Sequence, residues 1–353
     1  MPETTEPEVL AAVADGVGHL TLNRPRAINA LSHGMIGLLA EQLAAWRDDS
    51  EVTLVVLDGA GDRGFCAGGD VRALWDGARA GENAASRTFF RDEYRLNAMI
   101  ARYPKPVVAI MDGITMGGGI GVSGHASIRI VTERSRLAMP ETRIGFSPDV
   151  GGTWLLANAP GELGTYLALN SASMDAADAI HCGFADYLVP SADIPHLLQA
   201  LAERADPGSP SEIALLFDET PDASPLAARR EWIDACYAAP TVAEIIARLR
   251  TRAEPEAVLA ADELEALSPT AITATLAALR ASRAAGSLEA ALEVEYRVAG
   301  WLIEQPDLVE GIRAQVIDKD RSPRWNPPSL AALAPRTAAA ALAGRAGDTV
   351  FGR

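Results

Sequence analysis

The sequence of 353 residues predicts an α/β protein, in which stacked ββα units are followed by a helical C-terminal region. Three observations support this prediction. Short apolar runs alternate with helical patterns as far as about residue 190. Strand patterns nearly disappear after a segment rich in proline and glycine at 206–210. A hydrophobic content of 48% is enough for a large buried core.

The strands are predicted from apolar runs in the first part of the chain. An amphipathic helix over 32–46 separates the first two of them. The predicted strands are 19–22, 54–57, 107–111, 128–132 and 184–189. This mixture of short strands and helices is typical of stacked ββα units.

The second part of the chain is predicted to be helical. A helix over 194–205 leads into the linker Asp-Pro-Gly-Ser-Pro at 206–210. The alanine-rich segment 334–353 is predicted as either a loose helix or a disordered tail. We therefore expect a catalytic core over 1–205 and a helical region over 206–353. Four amphipathic helices are predicted in that region, at 241–252, 255–267, 269–285 and 287–304.

Two glycine-rich segments, Phe-Cys-Ala-Gly-Gly-Asp at 65–70 and Met-Gly-Gly-Gly-Ile-Gly at 116–121, each follow an apolar run and precede a helical pattern. Glycine has no Cβ, so its backbone N–H can approach a ligand closely. Two such turns side by side would direct two donors at one oxygen, each worth roughly 3–4 kcal/mol once that oxygen is an oxyanion. The pattern predicts an oxyanion hole of the kind that suits a thioester carbonyl.

Together with Met-Pro-Glu-Thr-Arg-Ile-Gly-Phe-Ser-Pro-Asp-Val-Gly-Gly at 139–152, these segments resemble the crotonase, or enoyl-CoA hydratase/isomerase, superfamily. The resemblance implies a crotonase-like spiral fold and an acyl-CoA substrate. It also implies that the oxyanion donors are the N–H groups of Gly69 and Gly118. Related proteins often form trimers or hexamers, and the C-terminal helices here could cover the surface that they use.

The turn at 22–27 is the predicted binding site for the coenzyme A end of the substrate. The resemblance implies that backbone near Ala27 and Ala67 meets the adenine. Arg24 and Arg26 are candidates for contacts with phosphate, and the alternative is that they are ordinary solvated arginines.

One substitution separates this sequence from a typical enoyl-CoA hydratase, which has two catalytic glutamates. Only the second is present, as Glu141, because Gly121 occupies the position of the first. Asp149 stands where many hydratases have a small residue. This combination resembles the 3-hydroxyisobutyryl-CoA hydrolase branch of the superfamily. Further segments that agree with that branch are 89–97, 293–297 and 317–330.

The resemblance implies, by position, that Glu93, Gly118, Glu141 and Asp149 contact the substrate. Glu141 is predicted to act as a general base on water or as a nucleophile, and the sequence leaves both open. We expect Asp149 to bond to the substrate hydroxyl and to manage a proton, while Glu93 orients the acyl end. Carboxylates placed close together push their pKa values apart, so one is expected to be protonated at neutral pH.

The predicted function is hydrolysis of a 3-hydroxyacyl-CoA, namely 3-hydroxyisobutyryl-CoA in valine breakdown, with no separate cofactor. One alternative is an enoyl-CoA hydratase or isomerase that uses Glu141 alone. Another is a non-catalytic subunit that binds acyl-CoA. Plainer interpretations are also open, since Glu141 could simply start a helix and Asp149 could be a turn residue.

Other motifs predict less. Gly119, Gly121 and Gly124 fit G-x-G-x-x-G, but five residues separate them from the preceding strand, which argues against a dinucleotide site. Cys66 lies beside the proposed oxyanion hole, where a small buried apolar residue is the better interpretation than a nucleophile. The five histidines show no ligand spacing, so no metal site is predicted.

Composition excludes several partners. A net charge of −16 opposes nonspecific binding to nucleic acid or to an anionic membrane. Three cysteines give no disulfide framework. The printed N-terminus is acidic, without a basic or apolar segment, and no apolar run reaches the roughly 18 residues that a membrane span needs. We expect a cytoplasmic protein.

Overall fold

The computed structural model describes residues 7–203 and 209–352. Nine strands in these ranges form a six-stranded sheet, with order β1-β2-β3-β4-β6-β9, and a three-stranded sheet, with order β5-β7-β8. The strands are β1 Val9–Ala14, β2 Val17–Leu22, β3 Leu54–Gly59, β4 Val107–Met111, β5 Ile114–Met116, β6 Ile128–Val131, β7 Arg136–Ala138, β8 Ser173–Met174 and β9 Tyr187–Leu188.

Sixteen α-helices lie in the same described ranges. They are α1 His33–Arg47, α2 Val71–Ala80, α3 Asn83–Ala101, α4 Gly118–Ser123, α5 Gly152–Asn158, α6 Leu163–Asn170, α7 Ala176–His181, α8 Ile194–Glu203, α9 Pro210–Leu216, α10 Pro225–Tyr237, α11 Val242–Arg250, α12 Pro255–Ala266, α13 Pro269–Ala285, α14 Leu288–Leu302, α15 Pro306–Ile312 and α16 Thr337–Ala343. Between residues 209 and 352 no strand is found, as the sequence predicts.

The chain alternates between the two sheets and so winds into a spiral. It runs through β4 in the large sheet, β5 in the small sheet, β6 in the large sheet and β7 in the small sheet. Apart from the antiparallel pairs β1–β2 and β7–β8, neighbouring strands are parallel. The predicted spiral is confirmed.

The central strands of the large sheet are buried on both faces, and their side chains alternate between two hydrophobic clusters. Val55 of β3 belongs to a cluster with Met35 and Leu39 of α1. The next residue, Val56, belongs to a different cluster with Leu197 of α8. A parallel strand covered on both sides is apolar throughout, which is why β4 is buried at every position.

Helix α3 directs one of its faces toward the interior. Phe90, Glu93, Tyr94 and Asn97 follow the spacing i, i+3, i+4 and i+7, and all four are buried. This face carries two polar groups that matter for the site described below.

The C-terminal helices share a core with the spiral. One hydrophobic cluster contains Met139 and Leu156 from the first part of the chain and Leu276, Leu292 and Leu308 from α13, α14 and α15. The helices therefore bury their apolar faces directly against the elements that carry the site.

The segment 334–352 contains a helix, α16, which is one of the two predicted alternatives. Beyond it the chain, here called the C-terminal tail (residues 344–352), is bound by ion pairs and hydrogen bonds. Arg87 of α3 pairs with Asp348 at 2.7 Å. Glu293 of α14 accepts hydrogen bonds from Thr349 Oγ1 at 2.8 Å and from the N–H of Val350 at 3.0 Å.

Some predicted boundaries are wrong. The strand predicted over 184–189 is only Tyr187–Leu188, the two residues that pair with β6. Pro210 was predicted in the linker but begins α9, where its lack of an N–H costs nothing at the first helical turn. Residues 204–208, including the end of the helix predicted over 194–205 and most of the linker, lie outside the described ranges. No helix in the described part of the chain has the length and apolar character needed to cross a membrane.

Candidate active site

A cavity of about 900 Å³ lies between the glycine turns, α2, α3 and the turn that follows α15. This volume is typical of a small-molecule site. Its apolar wall includes Phe89, Phe90 and Phe146. The predicted site residues that line it are Ala67, Gly69, Glu93, Gly118, Glu141 and Asp149.

Backbone pairing holds the two glycine turns side by side. Cys66 forms a parallel bridge with Thr115, and the N–H of Met116 donates to the carbonyl of Cys66 at 2.9 Å. Gly68 and Gly117 have φ of +106° and +49°, in the region that favours glycine. Each turn therefore bends just before the residue predicted as an oxyanion donor.

The two predicted donors are neighbours. A Cβ built on Gly118 would lie 3.2 Å from the nitrogen of Gly69. Gly118 is the first residue of α4, so its N–H has no acceptor within the helix. In the described part of the chain neither N–H has a hydrogen-bond acceptor. Both remain available to a ligand oxygen, as an oxyanion hole requires.

Two carboxylates lie against this glycine run. Oε1 of Glu141 is 2.8 Å from the position that a Cβ on Gly117 would occupy, and Oε1 of Glu93 is 2.7 Å from a Cβ on Gly118. Within the described ranges, Glu93 Oε1 and Glu141 Oε2 are buried without a hydrogen-bond partner. Buried polar atoms are nearly always bonded, so these two are suited to bond a substrate.

Asp149 brings the third carboxyl group into the cavity. The hydroxyl of Tyr94 donates to its Oδ2 at 2.8 Å. The next two residues, Val150 and Gly151, have φ of +55° and +78°, so the chain turns sharply after Asp149.

Burial dominates the electrostatics of the three carboxyls. It raises the pKa of Glu93 well above the ordinary value, and the charges of Asp149 and Glu141 raise it further. Burial followed by the charge of Asp149 does the same to the pKa of Glu141. Burial raises the pKa of Asp149 to about 7, although the Tyr94 hydrogen bond opposes this shift. The cluster therefore shares protons near neutral pH.

The predicted coenzyme A contacts are only partly brought together. Ala67 lines the cavity, whereas Arg26 and Ala27 are exposed and lie outside its lining. The turn that holds them adjoins Ala67, whose N–H donates to the carbonyl of Ile28 at 2.8 Å. Arg24 instead forms ion pairs, with Asp70 at 3.2 Å and with Glu8.

Gly121 cannot be replaced by the missing hydratase glutamate without moving its neighbours. A Cβ at this position would lie 2.6 Å from Cβ of Val150 and 2.9 Å from Nδ2 of Asn97. The space that a second catalytic side chain would need is already filled by these residues.

Two other side chains, Cys66 and His125, do not act as nucleophile or base. Burial raises the pKa of the Cys66 thiol to about 12, so it stays protonated. Burial lowers the pKa of His125 to about 4, and its Nε2 is bonded to the carbonyl of Val150. No group of three His, Cys, Asp or Glu side chains in residues 7–203 and 209–352 is arranged to hold a metal ion.

Sequence reasoning assigned no role to two residues that contact the Asp149 segment, Tyr94 and Glu295. Both lie in segments that resemble the hydrolase branch, at 89–97 and 293–297. The helical spacing of Phe90, Glu93, Tyr94 and Asn97 is a usable signal for the first. The second lies on α14, and only the folded structure brings it to Asp149.

The chain matches the family described as enoyl-CoA hydratase/isomerase over residues 17–342. The chain belongs to this family.

Three similar curated proteins are named as 3-hydroxyisobutyryl-CoA hydrolases. The mitochondrial 3-hydroxyisobutyryl-CoA hydrolase of Danio rerio is 40% identical over 92% of this chain and 87% of its own length. The human protein of the same name is 37% identical over 92% of this chain and 85% of its own. A probable 3-hydroxyisobutyryl-CoA hydrolase of Arabidopsis thaliana is 38% identical over 92% of this chain and 89% of its own.

Two solved structures of the family are similar over nearly their full length. A carnitinyl-CoA dehydratase from Mycobacterium thermoresistibile has a TM-score of 0.93 and 48% identity, covering 99% of this chain and 100% of that one. An enoyl-CoA hydratase from Rhodobacter sphaeroides has a TM-score of 0.90 and 43% identity, covering 98% and 100%. Both proteins are named for reactions other than hydrolysis, so the geometry at Gly121 and Asp149 bears on which reaction this chain catalyses.

Proposed function

We propose that this protein hydrolyses 3-hydroxyisobutyryl-CoA to 3-hydroxyisobutyrate and coenzyme A. One observation carries the proposal. The oxyanion donors at Gly69 and Gly118 share a buried cavity with Glu141 and Asp149. Gly121 stands where a hydratase has its other catalytic glutamate, and its neighbours fill the space for that side chain. The names of the curated relatives support the same reaction.

In this reaction the thioester oxygen accepts hydrogen bonds from the Gly69 and Gly118 N–H groups, which stabilise the charge that develops on it. Glu141 then acts by one of two routes, each starting from its ionised form. As a general base it takes a proton from water, hydroxide attacks the carbonyl carbon, and the C–S bond breaks as the thiolate accepts that proton.

In the second route Glu141 attacks the carbonyl carbon itself. The C–S bond breaks to give a mixed anhydride, and the thiolate takes a proton from a protonated carboxyl of the cluster. Water then hydrolyses the anhydride and restores Glu141. Borohydride trapping during turnover separates the two routes, because only an anhydride would be reduced to an alcohol at residue 141.

The other carboxyls suit a substrate with a hydroxyl group on the acyl chain. Tyr94 bonds to Oδ2 of Asp149, and the other carboxyl oxygen, Oδ1, can bond to a substrate. Oε1 of Glu93 is buried and has no partner among the described residues. A hydroxyl can both donate and accept, so it can bond to an ionised and to a protonated carboxyl in the same site.

The alternatives fit the site less well. Hydration is expected to need a second carboxylate near Gly121, where Val150 and Asn97 fill the space. A subunit that only binds acyl-CoA would not need three buried carboxyls, since burying such groups costs free energy.

The test is release of coenzyme A from 3-hydroxyisobutyryl-CoA, followed with a thiol reagent, beside hydration of crotonyl-CoA, followed by absorbance. Glu141→Gln should abolish thiol release. The matched control is Glu162→Gln, because Glu162 is a half-buried carboxylate bonded to Thr165 and Arg283 that lies outside the cavity lining. Hydration without thiol release would favour a hydratase, and no activity in either assay would favour a subunit that only binds acyl-CoA.

We further propose that the reaction serves valine breakdown in the cytoplasm. The three free, buried cysteines support a reducing compartment. The vertebrate relatives are named as mitochondrial proteins. A homotrimer or homohexamer remains a prediction that analytical ultracentrifugation would test, and no cofactor beyond the coenzyme A of the substrate is proposed.

A further inference from the structure

Glu295 of α14 is a buried carboxylate that does not line the cavity. Its side chain is 1% exposed. Oε2 accepts the N–H of Gly151 at 2.7 Å, and Oε1 accepts the N–H of Thr153 at 2.8 Å together with the Thr153 hydroxyl. A buried carboxylate is costly unless it is bonded, and the donors here are Gly151, in the turn after Asp149, and Thr153, in the first turn of α5.

The turn after Asp149 adopts an unfavourable backbone conformation. Val150 has φ of +55°, which is strained for a β-branched residue. Its carbonyl is 2.9 Å from Nε2 of His125, and because a carbonyl only accepts, Nε2 is the donor. The turn is therefore held by His125 through Val150 and by Glu295 through Gly151.

Helix α14 also contacts the partner of Asp149. Tyr296, the residue after Glu295, packs edge-on against Tyr94 with the ring centres 6.1 Å apart. Tyr94 in turn donates to Asp149. One turn of α14 thus supports both the backbone beside Asp149 and the hydroxyl group that binds its carboxylate.

We propose that Glu295 is a positioning residue, which holds the turn 150–151 and thereby fixes the Asp149 carboxylate in the cavity. The effect of Glu295 on the reaction rate rests on the proposed hydrolase function. Its effect on the position of the Asp149 carboxylate does not depend on that function.

The chain offers a matched control on the same helix. Glu293 also accepts three hydrogen bonds from a backbone segment, namely from Thr349 Oγ1, Val350 N–H and Phe351 N–H. Those residues belong to the C-terminal tail and do not line the cavity. A purely structural role would make Glu293→Gln and Glu295→Gln behave alike.

The kinetic test is a double-mutant cycle with Asp149→Asn. In glutamine one acceptor oxygen becomes a donor, which opposes either the Gly151 or the Thr153 N–H. We expect Glu295→Gln to lower kcat about 100-fold, as a displacement of about 1 Å in a group that orients the substrate does. In the Asp149→Asn background the same change should cost less than about twofold, because the group it positions is already lost. Equal losses in both backgrounds would overturn the proposal.

A crystal structure of each variant gives a result that does not depend on activity. The hydrogen bond from Tyr94 to Asp149 should be lost in Glu295→Gln and kept in Glu293→Gln. If Glu295→Gln keeps it, the positioning role is wrong. If wild type releases no coenzyme A, the proposed hydrolase fails, and the crystal structures alone decide the positioning role.

Thr153→Val provides a milder variant in case Glu295→Gln does not fold. It removes the hydroxyl that bonds to Glu295 and leaves both backbone donors in place. A loss in kcat that disappears in the Asp149→Asn background is expected, and an unchanged kcat together with an unchanged Tyr94–Asp149 bond would contradict the proposal.

Discussion

Tyr94 donates a hydrogen bond of 2.8 Å to Oδ2 of Asp149, and both side chains are buried. Burial raises the pKa of Tyr94 well above its ordinary value, so the phenol stays a donor. The bond favours the ionised form of Asp149 and limits the rise in its pKa. The Tyr94–Asp149 pair therefore controls the negative charge that raises the pKa of Glu93 and of Glu141.

Replacing Asp149 by asparagine should stabilise the protein at high pH. Burial raises the Asp149 pKa to about 7 in the folded state, so the folded protein binds this proton more tightly than the unfolded chain does. The contribution of Asp149 to the free energy of unfolding should therefore fall as pH rises from about 4 to about 7, and then level off. Asp149→Asn should exceed wild type by on the order of 2–4 kcal/mol at pH 8 and match it near pH 4, measured by urea unfolding. Equal stability at pH 8 would contradict the burial of a charge at this position.

The rate of thioester hydrolysis should increase with pH through neutrality. Both routes need ionised Glu141, whose pKa is raised by burial and by the charge of Asp149. Initial rates between pH 5 and 9 should therefore not reach a plateau near pH 5.5, as they would with an ordinary glutamate. In Asp149→Asn, whatever its absolute rate, the midpoint should shift to lower pH, since one source of the raised pKa is removed. A flat profile above pH 5.5 would count against Glu141 as the ionising group.

Adding one methyl group at Gly118 should damage the oxyanion hole. A Cβ there would lie 2.7 Å from Glu93 Oε1 and 3.2 Å from the Gly69 nitrogen. We expect Gly118→Ala to lower kcat by about 100-fold, as loss of one donor does. Gly37→Ala is the control, because nothing lies within 4 Å of a Cβ on Gly37 in α1. The control should keep full activity and gain about 0.5–1 kcal/mol in stability. Normal kcat in Gly118→Ala would show that this amide does not bind the thioester oxygen.

Restoring the missing glutamate should not create a hydratase. In Gly121→Glu the new Cβ would lie 2.6 Å from Cβ of Val150, so the variant should lose roughly 1–3 kcal/mol of stability through overpacking. Gly37→Glu, the same substitution at an open helical position, should be nearly neutral. A decrease in the enoyl absorbance of crotonyl-CoA would reveal hydration. Hydration by a stable Gly121→Glu protein would mean that the pocket adapts more readily than the packing indicates.

The glycine-rich segments at 65–70 and 116–121 are enough to predict an oxyanion hole. The resemblance to the crotonase superfamily then selects Gly69 and Gly118 in those segments, and Glu141 and Asp149 in the segment at 139–152. All four line one cavity. Their placement depends on short-range backbone geometry, which a sequence pattern conveys.

The remaining parts of the site depend on packing between distant elements. Glu295 reaches Gly151 only after α14 has docked, and no spacing in the sequence indicates that contact. Arg26 and Ala27 adjoin Ala67 but stay outside the cavity lining, because the turn that carries them lies on the surface. The strand predicted over 184–189 is shorter because only Tyr187 and Leu188 are in ladder register with β6.

The hydrogen bond between Gly151 and Glu295 joins residues 144 positions apart in the chain. Contacts of such long range form late in folding, since the intervening chain must first lose its freedom. A refolding molecule can thus complete the spiral and its oxyanion turns while the segment after Asp149 is still unsupported. Recovery of catalysis during refolding would then coincide with the docking of α14. The secondary structure of the spiral would recover before catalysis does.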